Sequence, residues 1–201
     1  MPEPTITAAS THDTDFFSAI LADLAQRKQL SAAQAEAAFG SIMDGNVPPE
    51  RIAAFLMALR VRGETQDELF GAVTALRQRM YPVPNTPPGT IDVCGTGGDK
   101  YGTLNVSTAV AFVLAALGVP VAKHGNRAVS SLAGASDVLA ALSVPLSSDA
   151  GVLARQLTQH HVVFMAAPHH HPAMRHAAAV RKVLALPTLF NRVGPMVNPA
   201  G

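Results

Sequence analysis

The chain carries a glycine-rich run, CGTGGDKYGTLNVST, at Cys94 to Thr108. Its glycines are Gly95, Gly97, Gly98 and Gly102. Because glycine has no Cβ, such a run can take positive φ and bring backbone N–H groups close to an anion. Capping residues follow at the start of a predicted helix, whose N-terminus also attracts anions; they are Asn105, Ser107 and Thr108. The run therefore predicts a phosphate-sized anion site.

The run differs from two familiar phosphate loops, since it lacks a G-K-[ST] ending and does not have the G-x-G-x-x-G spacing. Asp99 within it would repel a phosphate unless the carboxylate meets a sugar hydroxyl, a divalent cation or a cationic reaction centre. A tight turn before a capped helix is a plainer interpretation. It explains Gly95 and Asn105, but not the density of glycines.

A second polar segment, KHGNRAVSS at Lys123 to Ser131, follows another predicted strand. Lys123 and Arg127 bring positive charge, and Gly125 permits a sharp turn. Further along are hydrogen-bond donors for an oxyanion, namely Asn126, Ser130 and Ser131. The alternative is an exposed polar loop. Two such loops at neighbouring strand ends favour a shared binding site.

Arg181 is a third candidate, in the segment HPAMRHAAAVRKVLAL. On a helix this arginine lies beside the apolar face made by Ala177, Val180 and Leu184. The placement suits an inward-pointing guanidinium that binds a carboxylate, or a solvated surface arginine. In the same region His169, His170 and His171 are successive, so they cannot all point at one ion, and we predict no zinc site.

The element pattern divides the chain into two domains. From Phe16 to Met80 apolar residues recur at helical spacing. Ser31 and the Thr65–Glu68 pair are predicted N-terminal caps, and Gly45 and Gly63 stand where helices should end. Residues 1–80 are therefore expected to form a helical N-terminal domain.

The proline-rich segment 81–90 is a predicted extended hinge. Beyond it, predicted strands TIDVCG, VPVAKHG and VVFMAAP alternate with helical segments, which indicates an α/β domain at 91–201 with a mainly parallel central sheet. Cys94 falls in the first of these strands and is expected to be a small core residue. A helix near 172–186 is a candidate to pack with the helical domain.

Composition limits the function classes. Of 201 residues 48% are hydrophobic and 14% charged, and the net charge is +1, with no basic stripe; this predicts a globular protein with no nucleic-acid partner. The single cysteine and the acidic, proline-containing start favour the cytoplasm. The longest apolar stretch, Ala109 to Ala122, is interrupted by Gly118 and Pro120, so no membrane partner is expected.

Four segments together resemble one family. CGTGGDKYGTLNVST, KHGNRAVSS, HPAMRHAAAVRK and FNRVGPMVNPAG are similar to anthranilate phosphoribosyltransferase of tryptophan biosynthesis, in the glycosyltransferase family 3 and nucleoside phosphorylase-like class. The segment from Ile42 to Arg77 resembles that family's helical domain. The resemblance implies a pentosyltransferase that moves the phosphoribosyl group of phosphoribosyl pyrophosphate (PRPP) to the amino group of anthranilate, with Mg²⁺ as cofactor and pyrophosphate as product.

Site residues follow from the resemblance by position. Those implied to bind PRPP are Gly95, Gly98, Asp99, Thr103, Asn105, Val106, Ser107, Thr108, Lys123, His124, Gly125, Asn126, Arg127, Ala128, Val129, Ser130, Ser131 and Ala135. Those implied to bind anthranilate are Gly95, Asn126 and Arg181. Ser107 would be a magnesium ligand. No general base is assigned, and His124 is a candidate only for orienting a substrate.

The chain departs from the family in two ways. Ala135 stands where the family usually has serine, with Ser136 one position later. The family also continues beyond the position matching Gly201 and carries there an Asp-Glu pair that binds magnesium. We therefore expect a C-terminally truncated chain with an incomplete sheet, half of the metal site, and weak or no activity of its own.

Two other functions stay open. A pyrimidine nucleoside phosphorylase shares the two-domain plan, but its glycine loop would read more like S-T-G-G-V-G-D-K. A non-catalytic relative could serve as a binding module, for instance for nucleic acid. The resemblance also implies a homodimer formed through the helical domain.

Overall fold

The computed structural model describes residues 11–95, 105–125 and 135–201. The elements in chain order are α1 (Thr11–Ala25), α2 (Ala32–Met43), α3 (Pro49–Arg62), α4 (Gln66–Arg77), α5 (Val106–Ala116), β1 (Val121–Gly125), α6 (Ala135–Ala141), α7 (Ala150–His160), β2 (Val162–Ala166), α8 (Ala167–His170), α9 (Arg175–Leu184) and α10 (Leu189–Val193). Short 3₁₀ turns occupy Pro172–Met174 and Gly194–Met196.

Residue contacts divide the chain into two compact units. The helical unit comprises Met1–Leu76 and Ala173–Leu189, and the α/β unit comprises Arg77–Pro172 and Phe190–Gly201. Within the helical unit α9 packs against α2 and α3. Among the residues that the structure describes, no helix has the length and apolar character required to cross a bilayer.

The helical unit begins and ends its helices as the sequence predicts. Ser31 caps α2, since its Oγ accepts a hydrogen bond from the Gln34 N–H at 3.3 Å. Thr65 and Glu68 form the predicted capping box before α4, with Thr65 N donating to Glu68 Oε2 at 2.9 Å. Gly45 and Gly63 adopt positive φ after α2 and α3, which ends both helices.

Three aromatic rings form the centre of the helical core. The ring centroid of Phe55 lies 5.4 Å from that of Phe17 and 5.2 Å from that of Phe39, and all three side chains are buried. Helices α2 and α4 approach closely at Gly71, where an added Cβ would lie 2.4 Å from the carbonyl oxygen of Ala32. A side chain at this position would force the two helices apart.

The α/β unit contains a parallel sheet covered on both faces. Strands β1 and β2 pair in parallel from Val121↔Val162 to Gly125↔Ala166. One face of the sheet packs Val121 and Phe164 against α5 and α6. The opposite face, which includes Ala122, Val163 and Met165, packs against α7. This arrangement confirms the predicted α/β class with a parallel sheet, of which two strands are described.

The strand predicted at TIDVCG is wrong in extent. Only Ile91 pairs, through a single parallel bridge to Val121. Immediately after it, Asp92 Oδ1 accepts the Cys94 N–H at 2.9 Å, and this local side-chain bond takes the place of further ladder bonds. Cys94 is thus half-buried and outside any strand. Burial and the nearby Asp92 carboxylate raise the pKa of its thiol.

The proline-rich segment is hydrogen-bonded to other parts of the α/β unit. Tyr81 N donates to the His170 carbonyl at 2.8 Å, and Val83 N to the Pro199 carbonyl at 2.8 Å. Thr86 Oγ1 donates to the Ala200 carbonyl at 3.2 Å. The domain boundaries at residues 80 and 90 stay a prediction.

Candidate functional site

Three residues of the predicted site, Lys123, His124 and Gly125, lie at the carboxyl end of β1, beside that of β2. These strands are parallel, so Gly125 and Ala166 end at the same edge of the sheet. A small pocket at this edge is lined by Lys123 and Gly125 from β1, by Ala135 and Ser136 from α6, and by the end of β2. Gly125 is close to α6, because an added Cβ would lie 3.3 Å from Ala135 Cβ.

Helix α5 begins beside this edge and is capped by Asn105. The Asn105 Oδ1 accepts the Thr108 N–H at 3.2 Å and the Thr108 hydroxyl at 2.8 Å. Asn105 is therefore the predicted cap. Ser107 and Thr108, by contrast, lie within the first turn, and Thr108 is buried. The Thr108 hydroxyl is thus already donated to the capping side chain of Asn105.

Lys123 is the buried cation of the site. It is 3% exposed, and its Nζ donates to Ser107 Oγ at 3.3 Å. Burial lowers the pKa of Lys123, while Cys94 and the Asp92 carboxylate act in the opposite direction. A lysine ammonium and the N-terminal turn of an 11-residue helix thus meet at one point, an arrangement that favours an anion.

Asp92 joins several parts of the site and was not among the predicted site residues. Its Oδ1 accepts the N–H of Cys94 at 2.9 Å and that of His124 at 3.3 Å. Its Oδ2 accepts from Asn198 Nδ2 at 2.7 Å. An acid at a strand end was visible in the sequence, but its partner 106 residues further on was not.

His124 is buried and lies against a second histidine. Its ring centroid is 5.1 Å from that of His171, and both side chains are 5% exposed. Burial, above all, lowers the pKa of each to about 4; the nearby His124 lowers that of His171 further, while His170 and Lys123 act on His124 in the same direction. His124 Nε2 has no hydrogen-bond partner among the described residues. Both rings are neutral at pH 7, so neither adds a positive charge to this edge of the sheet.

Two histidines of the run, His170 and His171, form hydrogen bonds with backbone carbonyl groups. His170 Nδ1 lies 2.8 Å from the Tyr81 carbonyl oxygen, and His171 Nε2 lies 3.0 Å from that of Val197. Both carbonyls accept from a ring N–H, which fixes the tautomers in which those nitrogens are protonated. Each histidine therefore anchors a different chain segment.

Arg181 lies on α9, in the helical unit, beside the buried residues Ala177 and Val180. Its side chain is partly buried, and burial lowers the pKa of the guanidinium. The predicted position next to the apolar face of its helix is what the structure shows.

The remaining predicted positions differ in what the structure describes. Gly95 is exposed, Val106 is 59% exposed at the start of α5, and Ala135 opens α6. Other predicted residues lie outside the described ranges: Gly98, Asp99, Thr103, Asn126, Arg127, Ala128, Val129, Ser130 and Ser131.

The described residues offer a metal ion few ligands. Ser107 Oγ lies 3.4 Å from Asn105 Oδ1, so two hard oxygen atoms are adjacent, but the Lys123 ammonium occupies the same neighbourhood. Within the described ranges no three His, Cys, Asp or Glu side chains cluster. The adjacent Asp67 and Glu68 lie in the first turn of α4, where Glu68 is bound to Arg62.

Comparison with known proteins places both units in one family. Residues 18–80 match the helical bundle domain of a glycosyl transferase family, and residues 87–201 match its a/b domain. The chain is 58% identical to anthranilate phosphoribosyltransferase of Gluconobacter oxydans over 92% of this chain and 51% of that protein. It is 52% identical to the Beijerinckia indica enzyme over 93% of this chain and 54% of that protein.

Solved structures agree. The crystal structure of anthranilate phosphoribosyltransferase from Thermus thermophilus has a TM-score of 0.84 and 40% identity, covering 90% of this chain and 55% of that one. The Saccharomyces cerevisiae enzyme in complex with PRPP and Mg has a TM-score of 0.84 and 27% identity, covering 92% and 56%. The chain spans about half the length of the curated relatives it matches.

Proposed function

The chain belongs to the glycosyl transferase family with this helical bundle and a/b domain, and we propose that it binds PRPP and transfers its phosphoribosyl group to the amino group of anthranilate. Pyrophosphate is the second product. The relatives that share 58% and 52% of its residues carry the name of this enzyme.

The observation that carries the proposal is the contact between Lys123 Nζ and Ser107 Oγ at 3.3 Å. A buried lysine is costly unless an anion or a hydrogen-bonding group compensates its charge. Here a neutral hydroxyl is the bonded partner, and the N-terminal turn of α5 adds further positive potential. The oxygens of a pyrophosphate placed at this edge would accept hydrogen bonds from the Lys123 ammonium and from the N–H groups of the first turn of α5.

The proposed reaction depends chiefly on stabilising the leaving group. Negative charge grows on pyrophosphate as the bond from the ribose C1 to oxygen breaks, so fixed cations and N–H donors lower the barrier. The anthranilate amine is then held on the opposite face of the sugar, where positioning replaces strong base catalysis. His124 is neutral and stays a candidate only for orienting a substrate; as the residue after Lys123 in β1, it places its ring on the opposite face of the sheet, against His171.

We propose that Mg²⁺ is the cofactor and that it would bind together with PRPP. The Ser107 hydroxyl is a hard oxygen of the kind that Mg²⁺ accepts, and it would be one protein ligand for the ion. When bound, the ion would neutralise part of the pyrophosphate charge. Within the described residues, no three His, Cys, Asp or Glu side chains cluster to add further protein ligands.

The anthranilate part of the proposal assigns Gly95, Asn126 and Arg181 to the second substrate. Arg181 would pair with the carboxylate of anthranilate through its planar guanidinium. Its partial burial supports this role, because a desolvated guanidinium binds a carboxylate more strongly than an exposed one. Replacing Arg181 with Lys should therefore weaken anthranilate binding and leave PRPP binding intact.

We also propose that the protein forms a homodimer through the helical unit and that it acts in the cytoplasm. In that unit Val61 and Phe70 are 77% and 63% exposed, which supplies apolar surface for a partner copy. The single cysteine suits a reducing compartment. Equilibrium sedimentation of the wild type and of Phe70→Glu tests the dimer, which the substitution should dissociate.

Loss of anthranilate fluorescence on addition of PRPP and Mg²⁺ tests the reaction. We expect weak but measurable PRPP-dependent turnover that is abolished by Lys123→Met and kept by Lys28→Met, which removes an exposed lysine of the helical unit. Turnover that is equal in the wild type and Lys123→Met would contradict the assignment of Lys123.

A further inference from the structure

The carboxylate of Asp92 connects three separate chain segments of the α/β unit. Through Oδ1 it holds the N–H of Cys94, where the glycine run begins, and the N–H of His124, next to Lys123. Through Oδ2 it holds the side chain of Asn198, near the end of the chain. The starts of both predicted binding loops are therefore hydrogen-bonded to one carboxylate.

Asn198 fixes the orientation of that carboxylate. The asparagine is 5% exposed. Its Nδ2 donates to Asp92 Oδ2 at 2.7 Å and to the Ala122 carbonyl at 2.8 Å, and its Oδ1 accepts the Ala200 N–H at 2.8 Å. Both amide protons and the amide oxygen are thus bonded, so Asn198 holds a single orientation and Asp92 with it.

Burying the charged carboxylate of Asp92 costs free energy. Burial raises the pKa of this carboxyl, although the hydrogen bonds from Asn198 and His124 and the charge of Lys123 act against the rise. A polar group that is expensive to bury and is aimed at two loop ends matches a site residue better than a purely structural one.

We propose that Asp92 and Asn198 form a positioning pair for the PRPP site, in which Asn198 orients Asp92 and Asp92 holds the ends of both loops in register. The inference rests on the proposed function. Neither residue touches the substrate. They act by fixing the backbone at Cys94 and His124, so that Gly95 and the Lys123 ammonium are held at the same edge of the sheet.

Titration calorimetry with PRPP and Mg²⁺ tests the pair in the full chain, with Asp92→Ala, Asn198→Ala and the double variant. Losing a charge-assisted hydrogen bond should weaken PRPP binding about tenfold or more in each single variant. Because both residues act through one contact, the double variant should bind no more weakly than Asp92→Ala. Amide hydrogen exchange at Cys94 and His124 should accelerate in Asp92→Ala without any ligand.

Asp149→Ala is the matched control. Asp149 caps α7 in the same unit by accepting the Val152 N–H at 2.7 Å, so its loss lowers the melting temperature and keeps the hydrogen bonds of Asp92 to Cys94 and His124. Its PRPP affinity should equal that of the wild type. An Asp149→Ala affinity that falls as far as that of Asp92→Ala would overturn the positioning role, since stability alone would then explain both.

The remaining outcomes separate the two claims. Wild-type affinity in Asp92→Ala or Asn198→Ala, or additive losses in the double variant, would overturn the positioning pair and leave the proposed function standing. No PRPP binding by the wild-type chain would overturn the proposed function and the positioning role together. In that case faster exchange at Cys94 and His124 would still identify the pair as a structural clamp only.

Discussion

The ammonium of Lys123 lies 3.3 Å from the hydroxyl of Ser107, in the first turn of α5. This contact joins the carboxyl end of a strand to the N-terminus of a helix. Each element alone is a common structural feature, but together they concentrate positive potential at one edge of the sheet. The same edge carries the neutral pair His124 and His171, whose burial has consequences for stability.

Stability of the α/β unit should fall as the pH drops from 6.5 to about 4. His124 and His171 have a pKa of about 4 when folded, against an ordinary value of 6.5. In this window the unfolded chain binds more protons than the folded one, so protonation favours unfolding. Above pH 6.5 both histidines are neutral in the folded and the unfolded chain, so this loss in the free energy of unfolding is absent. Urea unfolding at pH 7.5 and 5.0 measures the loss.

His171→Asn should reduce this pH dependence, because it removes one of the buried histidines whose pKa is lowered; His170, also buried, keeps its smaller contribution. His169→Asn is the control, since His169 is exposed. An equal drop in the free energy of unfolding for all three proteins would show that the buried pair is not responsible.

Gly71→Ala should destabilise the helical unit by about 2 kcal/mol or more. The new Cβ would lie 2.4 Å from the Ala32 carbonyl oxygen and 2.6 Å from the Glu36 nitrogen, and backbone atoms cannot move aside cheaply. Gly151→Ala is the control in another helix, where the nearest atoms are side-chain ends at 3.2 Å and 3.4 Å. It should cost at most about 1 kcal/mol, because the new Cβ presses only on Asp149 Oδ1, which accepts the capping N–H of Val152, while alanine favours the helix by a similar amount. Thermal unfolding that ranks the two variants in the opposite order would refute this packing.

Glu68→Gln should cost about 3 kcal/mol or more of stability, because it leaves the largely buried Arg62 without its counter-charge. Burial pushes the pKa of Glu68 upward, but hydrogen bonds from Arg62, Leu30 and Thr65 outweigh it, so the pKa lies below the ordinary 4.5. The contribution is present above that pH and is lost as the pH falls below it. The exposed neighbour Asp67→Asn is the control, and denaturant unfolding that finds both substitutions equally mild would argue against the buried pair.

Local features of this fold could be predicted from the sequence. The caps at Ser31 and Thr65, the helix ends at Gly45 and Gly63, and the alternation of strands and helices depend on neighbouring residues. The strand at TIDVCG was overestimated because Asp92 bonds its own backbone two residues on, a competition that hydrophobic pattern does not show.

Contacts between distant residues could not be predicted in the same way. The bond between Asp92 and Asn198 and the packing of His124 on His171 join residues that are far apart in the chain. The parallel pairing of β1 and β2 puts His124 near the end of β2, which His171 follows five residues later. The resemblance marked Lys123 and Ser107 as site residues, whereas the burial of Lys123 became visible only in three dimensions.

The central claim is that a buried cation at this sheet edge binds the pyrophosphate of PRPP, and calorimetric titration of PRPP into wild type and Lys123→Met tests it most directly. We predict that the wild type binds PRPP saturably and that its affinity falls when Mg²⁺ is removed. The PRPP affinity of Lys123→Met should be about tenfold lower or more, as expected for loss of a charge-assisted hydrogen bond. Unfolding curves should show that the variant stays folded. Equal PRPP affinity in the two folded proteins, or none in the wild type, would contradict the claim.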